Sequence, residues 1–227
     1  MGLAATWLMV LFCSLGWLTI PAYGEGASST SGAVNKPKAR KVLCLGDSLT
    51  EGYGVAREAA WPELLQADLK GRGFSDVIIV NAGISGSTSA SGLSRIKWFL
   101  KSPDLPEILI LELGANDGLR GIDPKVTAKN LRDVIQLAKS RGIQVLLAGM
   151  QMPTNYGPEY TKAFAAVYPA VAKDEGVAFI PFFLDGVAGD RSLNQADGIH
   201  PNEAGYKVIA RTVAQYLTPL ISQKAKP

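Results

Sequence analysis

One serine, one aspartate and the single histidine of this 227-residue chain have the types and the order that nucleophilic catalysis needs. A serine hydroxyl is a weak nucleophile until a base removes its proton, and the imidazole of histidine is suited to that task near neutral pH. Asp197 precedes His200 by three residues, so its carboxylate can orient the ring nitrogen that faces away from the serine. Together with Ser48, in the segment Gly46-Asp47-Ser48-Leu49, they form the predicted catalytic set Ser48, Asp197 and His200.

The same chemistry needs fixed hydrogen-bond donors for the negative oxygen that develops when a carbonyl carbon is attacked. Three candidate donors are the backbone N–H of Ser48, the backbone N–H of Gly86 and the side-chain amide of Asn116. Glycine at position 86 fits this role, because a side chain there would keep a substrate away from the backbone. We therefore predict an oxyanion hole formed by Ser48, Gly86 and Asn116.

Each of these residues also has a plain structural interpretation. A Gly-Asp-Ser segment after a strand is commonly only a turn, and a lone histidine is more often structural than catalytic. Asn116 and Asp117 are good helix caps, and a further helix can be capped by Ser85, Ser87, Thr88 or Ser89. The combination of serine, aspartate and a single histidine favours catalysis more strongly than any one of them does.

The elements that must position these residues alternate along the chain. Short apolar runs rich in branched side chains indicate strands that are covered on both faces, as in a parallel sheet. The predicted strands are Val42 to Leu45, Val77 to Asn81, Ile108 to Leu113, Val145 to Ala148 and Ala178 to Pro181. Helical patterns lie between them, which predicts a three-layer α/β/α domain with a five-stranded parallel sheet.

Two of the helices carry clear boundary signals. Asp123-Pro124 supplies a cap followed by proline in the first turn, and the helical pattern then continues to Gly142. After Asn202 the apolar series is Tyr206, Ile209, Ala210, Val213, Leu217 and Leu220. Because the carboxyl ends of parallel strands form the ligand crevice of such folds, the loops after the first three strands are expected to converge there.

Composition restricts the classes of function. Hydrophobic residues make up 47% of the chain and charged residues 19%, which predicts a globular protein with a real core. The net charge is +3, without a basic run, and this argues against a nucleic-acid partner. With one histidine and two cysteines, a zinc, iron or copper centre is not expected, and we predict no metal. The first loop also lacks the glycine patterns of nucleotide-binding sites and of the α/β-hydrolase elbow.

The amino-terminal region predicts export. Residues 1–24 are uncharged and largely apolar, and they end in Ala22-Tyr23-Gly24, which suits cleavage of a signal peptide. Because no lysine or arginine precedes the apolar run, an uncleaved anchor stays an alternative. Residues 25–40 have the composition of a flexible linker, residues 41–222 form the predicted domain, and residues 223–227 form a tail. After cleavage Cys44 would have no cysteine partner.

These blocks resemble the SGNH, or GDSL, hydrolases, whose signature serine, glycine, asparagine and histidine fall on Ser48, Gly86, Asn116 and His200. Further blocks look like the bacterial thioesterase I / protease I / lysophospholipase L1 group, whose members are also called arylesterases. They are Ala60-Trp61-Pro62, the segment from Asn81 to Gly86, the segment from Leu111 to Gly121, Asn155-Tyr156-Gly157, and the segment from Asp197 to Asn202. The resemblance covers nearly all of Lys41 to Leu220.

The resemblance implies a flavodoxin-like SGNH hydrolase fold, export to the periplasm or beyond, no cofactor, and hydrolysis of acyl esters and thioesters through an acyl-enzyme. It also assigns substrate binding to Asn155, Tyr156, Gly157 and Pro158, in a loop that borders the acyl groove of the group. One departure is Ser87, where relatives often have aspartate, and this leaves the acyl-chain preference open.

The expected partner is a small-molecule acyl ester or a lipid, with transient contact to membrane lipid and a monomeric chain. We expect an acyl groove lined by Leu49, Leu119, Tyr156 and Pro158. Two other functions stay open at this point. One is a carbohydrate O-acetyl esterase, and the other is a non-catalytic envelope domain that holds lipid or glycan in the same crevice.

Overall fold

The computed structural model describes residues 39–222, and the predicted signal peptide, linker residues 25–38 and the tail 223–227 lie outside the described residues. Five strands form a single parallel sheet with the spatial order β2-β1-β3-β4-β5. They are β1 (Arg40–Gly46), β2 (Val77–Gly83), β3 (Ile108–Glu112), β4 (Gln144–Ala148) and β5 (Ala178–Ile180). The sheet thus begins at Arg40, which the sequence placed at the end of the linker.

Burial of the strands follows their position in the sheet. All five residues of β3 are buried, as consecutive apolar residues predict for a central strand. In β2 only Val77 is buried, and Ile78 is 41% exposed. The edge strand β2 is thus covered less completely than the central strand, although Ile79 and Val80, which point to opposite faces, both pack against the core.

Seven α-helices are present in the described residues. They are α1 (Ser48–Glu51), α2 (Trp61–Gly71), α3 (Gly92–Phe99), α4 (Ala115–Leu119), α5 (Pro124–Ser140), α6 (Pro158–Glu175) and α7 (Glu203–Ser222). The cap predicted for α5 is present, since the Asp123 carboxylate accepts the Lys125 N–H at 2.8 Å. Asn202 caps α7 in the same way. On α7 the expected core position Leu220 is half-buried, and Ile221 is the buried residue at that end.

The helices pack as two layers on the sheet. Helix α5 contacts α3 and α6, whereas α2 contacts α7. Large side chains fill the interior between helices and sheet, among them Trp61, Phe164, Tyr168, Phe183 and Tyr206. The predicted three-layer α/β/α fold with a five-stranded parallel sheet is confirmed.

The strand order places a crevice at the carboxyl end of β1. The chain passes from β1 to β2 on one side and then to β3 on the other, so the loops after β1 and β3 diverge around a topological switch point. Ser48 follows β1 and Asn116 follows β3, which brings both to this crevice. Cys44 is buried in β1 with a free thiol. From residue 39 to residue 222, no helix is long and apolar enough to cross a membrane.

Candidate active site

Ser48, His200 and Asp197 form a continuous chain of hydrogen bonds. The Nε2 atom of His200 lies 2.9 Å from the hydroxyl oxygen of Ser48, and its Nδ1 atom lies 2.7 Å from Oδ2 of Asp197. Ser48 and His200 are 152 positions apart in the sequence, so this contact is made by the tertiary fold. In this arrangement the imidazole can take the serine proton through one nitrogen while the carboxylate orients the other.

The loop before α7 holds Asp197 as an ionised carboxylate. Its burial raises the pKa, but hydrogen bonds from the backbone and side chain of His200 and from the backbone of Ile199 outweigh this and lower the pKa of Asp197 to about 2. The loop is closed by the Gln195 N–H, which donates to the carbonyl of His200 at 2.8 Å. A carboxylate that stays negative near neutral pH stabilises the imidazolium that forms during catalysis.

The predicted nucleophile, Ser48, is the first residue of the short helix α1. The Asp47 carboxylate caps this helix by accepting the Leu49 N–H at 3.0 Å, and Gly52 ends it in the left-handed conformation. A Cβ atom on Gly46 would come within 2.0 Å of the Thr50 hydroxyl oxygen, so only glycine fits directly before Asp47. The Gly-Asp-Ser segment is thus a tight strand-to-helix turn that presents Ser48 at the crevice.

The predicted oxyanion donors surround this turn. Gly86 has φ +75°, a conformation that favours glycine, and within residues 39–222 its N–H has no hydrogen-bond acceptor. The Asn116 side-chain nitrogen donates to Asp47 Oδ2 at 3.1 Å and to the Ser87 carbonyl at 3.0 Å. Asn116 therefore connects the turn of the nucleophile with the loop that contains Gly86. The role of these groups as oxyanion donors stays a prediction.

Two charged side chains hold the loop of Gly86 from outside. Oε2 of Glu51 accepts a hydrogen bond from the Ser85 N–H at 2.7 Å and another from the Ser85 hydroxyl. Arg120 donates to the carbonyl oxygen of Gly86 at 3.1 Å. Because these contacts flank Gly86 and fix both sides of its peptide, they set the direction of its free N–H.

A pair of buried carboxyl groups lies beneath the nucleophile. Glu112 is fully buried at the end of β3, where its Oε2 atom accepts the Thr50 hydroxyl at 2.6 Å and the Asp47 N–H at 3.3 Å. Desolvation raises the pKa of Glu112 well above its usual range, and the nearby Asp47 carboxyl raises it further. Desolvation also raises the pKa of Asp47, to about 6. At Glu112, burial and the neighbouring carboxyl both favour the protonated form.

An apolar cleft of about 520 Å³ opens beside Ser48 and His200, whose sequence neighbours Leu49 and Ile199 belong to its lining. Its lining combines residues after β3, β4 and β5 with the neighbours of the nucleophile and of the histidine. These residues include Leu49, Ala115, Leu119, Met150, Met152, Pro153, Thr154, Phe182, Leu184, Ala188 and Ile199. Leu49 and Leu119, which we expected to line the acyl groove, are both part of this lining.

The predicted substrate-binding loop lies next to the cleft and not in its lining. The lining reaches Pro153 and Thr154, whereas Asn155, Tyr156, Gly157 and Pro158 are not part of it. The Tyr156 hydroxyl instead donates to the Leu119 carbonyl at 3.3 Å. The expectation that Tyr156 and Pro158 line the groove is thus wrong for this cleft, because the tyrosine is turned toward the backbone of the neighbouring loop. A role for the four residues in substrate binding stays a prediction.

The chain matches the GDSL-like Lipase/Acylhydrolase family over residues 44–208. It belongs to this family. The hydrolase is 44% identical over 183 residues to esterase TesA of Pseudomonas aeruginosa, which covers 81% of this chain and 90% of that protein. It is 42% identical over 181 residues to thioesterase 1/protease 1/lysophospholipase L1 of Escherichia coli K12, and the match covers 80% of this chain and 85% of that protein.

Solved structures agree with this assignment. A crystal structure of TesA matches with a TM-score of 0.76 and 44% identity, covering 80% of this chain and 99% of that one. The family resemblance expected from the sequence blocks is thereby confirmed. The protein is a serine hydrolase that acts on ester and thioester bonds.

The plain structural interpretations fail at several positions of the hydrolase. The serines near position 85 do not cap α3, whose N-cap residue, Ser91, makes no capping hydrogen bond with its side chain. Instead Ser89 donates through its N–H, at 2.7 Å, and through its hydroxyl to the buried Asp117 carboxylate. Asn116 does lie in the first turn of α4, but its side chain contacts Asp47.

Sequence reasoning missed several residues of the site. Glu51 and Arg120 support the loop of Gly86, and Tyr53 contacts His200 with its ring. The cleft residues Met150 and Met152 follow β4 directly, so the rule that pointed to the ends of the first three strands would have found them if it had been extended to the fourth.

Histidine, cysteine, aspartate and glutamate side chains do not gather into a metal-binding group of three or more anywhere in residues 39–222. The buried carboxyls of Asp47 and Glu112 contact backbone N–H groups and hydroxyl or amide donors. Both oxygens of Asp47 and Oε2 of Glu112 accept these hydrogen bonds, whereas the buried Oε1 of Glu112 has no hydrogen-bond partner in the described residues.

Proposed function

We propose that this hydrolase is an exported esterase that cleaves acyl esters and thioesters through an acyl-enzyme on Ser48. The observation that carries the proposal is the chain of hydrogen bonds from Ser48 through His200 to Asp197, which ends beside an apolar cleft. A nucleophile activated in this way next to an apolar cleft suits a carbonyl that carries an aliphatic chain.

In the first half of the reaction, the Ser48 hydroxyl oxygen attacks the carbonyl carbon while His200 Nε2 accepts its proton. The oxygen of the carbonyl becomes negative and is bound by the N–H groups of Ser48 and Gly86 and by the Asn116 amide. To donate to this oxygen, the Asn116 nitrogen gives up one of its two contacts, with Asp47 or with the Ser87 carbonyl. The bond to the alcohol or thiol then breaks, and the imidazolium gives its proton to the departing oxygen or sulfur. The acyl group stays on Ser48 as an ester.

In the second half, water takes the place of the departed group. His200 removes a proton from this water as it attacks the acyl carbon, and it then returns the proton to the Ser48 oxygen. The carboxylate of Asp197 keeps the imidazole in one orientation through both halves. The products are the free acid and the regenerated hydroxyl.

The proposed substrates are small acyl esters, acyl thioesters and lipids with one accessible acyl chain. The cleft supports this class because side chains such as Leu119, Met152 and Leu184 supply apolar contacts along its length. The matching relatives carry the names esterase and thioesterase 1/protease 1/lysophospholipase L1. Monomeric action and transient contact with membrane lipid belong to the same proposal.

The first experiment is covalent labelling by a fluorophosphonate, followed by peptide mapping. We expect the label on Ser48, and we expect Ser48→Ala to abolish both labelling and turnover of p-nitrophenyl acyl esters while its circular dichroism spectrum stays that of the parent. A folded Ser48→Ala variant with undiminished turnover would remove Ser48 from its role. An unlabelled parent protein would favour the non-catalytic lipid- or glycan-binding domain.

The second experiment measures kcat/KM for esters with acyl chains from acetyl to palmitoyl, together with lysophospholipid, acyl-CoA and acetylated oligosaccharide. We expect higher values for chains long enough to fill the cleft than for acetyl. A preference for acetyl groups on sugar over every other substrate would favour the carbohydrate O-acetyl esterase.

Export is proposed from the sequence of residues 1–24, which lie outside the described residues. Amino-terminal sequencing of the protein recovered from the periplasm or the medium tests it. We expect the mature chain to start at Glu25. A chain that retains Met1 and sediments with membranes would favour the uncleaved anchor.

A further inference from the structure

Arg95 connects the carboxyl ends of the two strands that lead into the crevice. One terminal nitrogen of its guanidinium donates to the carbonyl oxygen of Gly46 at 2.9 Å, and the other donates to the carbonyl oxygen of Ala82. The Gly46 carbonyl also accepts a hydrogen bond from the Ile84 N–H at 3.2 Å. The planar guanidinium thus holds β1 and β2 together where their pairing ends, at Gly46 and Gly83.

Two chain segments of the active site begin directly after this connection. After Gly46, the chain turns at once to Ser48. After Ala82, it reaches Gly86 four residues later. The N–H groups of Ser48 and Gly86 can bind the same oxyanion only if both lie about 3 Å from it. A misplacement of about 1 Å can cost about 100-fold in rate, so the relative position of the two strand ends matters for catalysis.

Helix α3 fixes Arg95 to the core. The next residue, Ile96, is buried, and α3 packs against α5. Arg95 itself is half-buried, and this burial lowers the pKa of its guanidinium, while the nearby carboxyls of Asp47 and Glu112 oppose the shift. The guanidinium is therefore a held group beneath the crevice, unlike the mobile end of a fully exposed arginine.

We propose that Arg95 is a positioning residue that aligns the turn of Ser48 with the loop of Gly86, so that both N–H groups bind one oxyanion. The proposal rests on the acyl-enzyme mechanism proposed above and adds the group that aligns its two backbone donors. Arginine suits this role because its planar fork presents N–H groups at a fixed separation to two carbonyl oxygens. A lysine at position 95 would keep the charge but would lack this rigid fork.

The test compares Arg95→Met and Arg95→Lys with the parent in the hydrolysis of p-nitrophenyl butyrate. The values of kcat are expressed per active site, counted by fluorophosphonate labelling carried to completion, so that unfolded protein does not lower them. A second readout is the inhibition constant of an alkyl trifluoromethyl ketone, whose oxygen becomes negative when the Ser48 oxygen adds to its carbonyl carbon. Arg132→Met is the matched control, because the Arg132 guanidinium also joins two elements, α5 and α6, through an exposed contact of 2.8 Å with Asp174.

We expect Arg95→Met to lower kcat and kcat/KM equally, by about 10- to 100-fold, because the alignment matters only once the oxygen is negative. The inhibition constant of the ketone should rise by a similar factor. Arg95→Lys should show a smaller loss of the same kind, about 3- to 10-fold, and it carries the test if Arg95→Met does not fold. Arg132→Met should match the parent.

Three results would overturn the proposal. One is an unchanged kcat per labelled site in the Arg95 variants, which would mean that the guanidinium only stabilises the fold. The second is a change confined to KM, and the third is a loss of kcat without weaker binding of the ketone. A parent protein that takes no label would instead contradict the acyl-enzyme mechanism, so the two failures are distinguishable.

Discussion

The buried carboxyl of Asp47 makes the stability of the domain depend on pH. Desolvation raises its pKa from 3.8 to about 6, against the opposing hydrogen bonds from the Leu49 N–H and the Asn116 amide. An acid that holds its proton more tightly in the folded state contributes stability below its unfolded pKa. That contribution is lost as the pH rises through the folded value. The difference between the two values corresponds to about 3 kcal/mol.

Asp47→Asn removes the titratable carboxyl and nearly preserves the shape of the side chain. Between about pH 3 and about pH 7, we expect the free energy of unfolding of the parent to fall by about 3 kcal/mol relative to that of the variant. Because the Asp47 carboxyl raises the pKa of Glu112, the variant also changes the titration of Glu112, and the difference between the two curves belongs to this pair of carboxyls. The absolute stability of the variant also reflects its altered contact with Asn116, so the prediction concerns the slope with pH.

The assay is urea unfolding at a series of pH values, followed by the fluorescence of buried Trp61 and by circular dichroism. Asp76→Asn is a control of opposite sign, because its hydrogen bond with Arg40 lowers the pKa of Asp76. Asp76 contributes to the free energy of unfolding above its unfolded pKa, and this contribution is lost as the pH falls through its lower folded pKa. Parallel pH curves for the parent and Asp47→Asn would refute the assignment of the slope to Asp47.

Three further predictions concern activity. Asn116→Ala should lower kcat/KM by about 100-fold or more, while the fluorophosphonate label should still be found on Ser48. A loss below about tenfold would argue against an oxyanion role for Asn116. Glu51→Ala should lower kcat/KM by roughly tenfold because the Ser85 N–H loses a charged acceptor, and Glu51→Gln should recover part of the loss; equal effects of both variants would contradict a positioning role. Ala188→Phe places a ring in the cleft, so turnover of palmitoyl esters should fall more than that of acetyl esters; a uniform fall across chain lengths would argue that the cleft does not hold the acyl chain.

Local signals predicted the elements whose boundaries depend on local chemistry. The pair Asp123-Pro124 located the start of α5, and the apolar run from Ile108 located β3 to within one residue. The serine, the histidine and the aspartate were found because few residue types can perform the chemistry and the chain offers a single imidazole. For α5 and β3, one short segment carries enough information to specify its own structure, whereas the contact between Ser48 and His200 is made by the tertiary fold.

Features that depend on contacts between distant segments were not predictable in the same way. The exposure of β2 follows from the spatial order of the strands, which no single strand encodes. The cleft combines segments that follow three different strands. Its lining stops before Asn155, because the Tyr156 side chain contacts the Leu119 carbonyl and not the cleft. The contact of Tyr53 with His200 depends on two glycines at positive φ, Gly52 and Gly54. The sequence alone does not show that the segment with these glycines lies beside the loop of His200.

Both the imidazole and the carboxylate that orients it come from a single loop close to the end of the polypeptide, directly before α7. Because the two groups share one loop, a displacement of this loop as a unit would separate the imidazole from the Ser48 hydroxyl while the contact between His200 and Asp197 stays intact. The distance between Ser48 and His200 is therefore the contact most sensitive to the seating of α7.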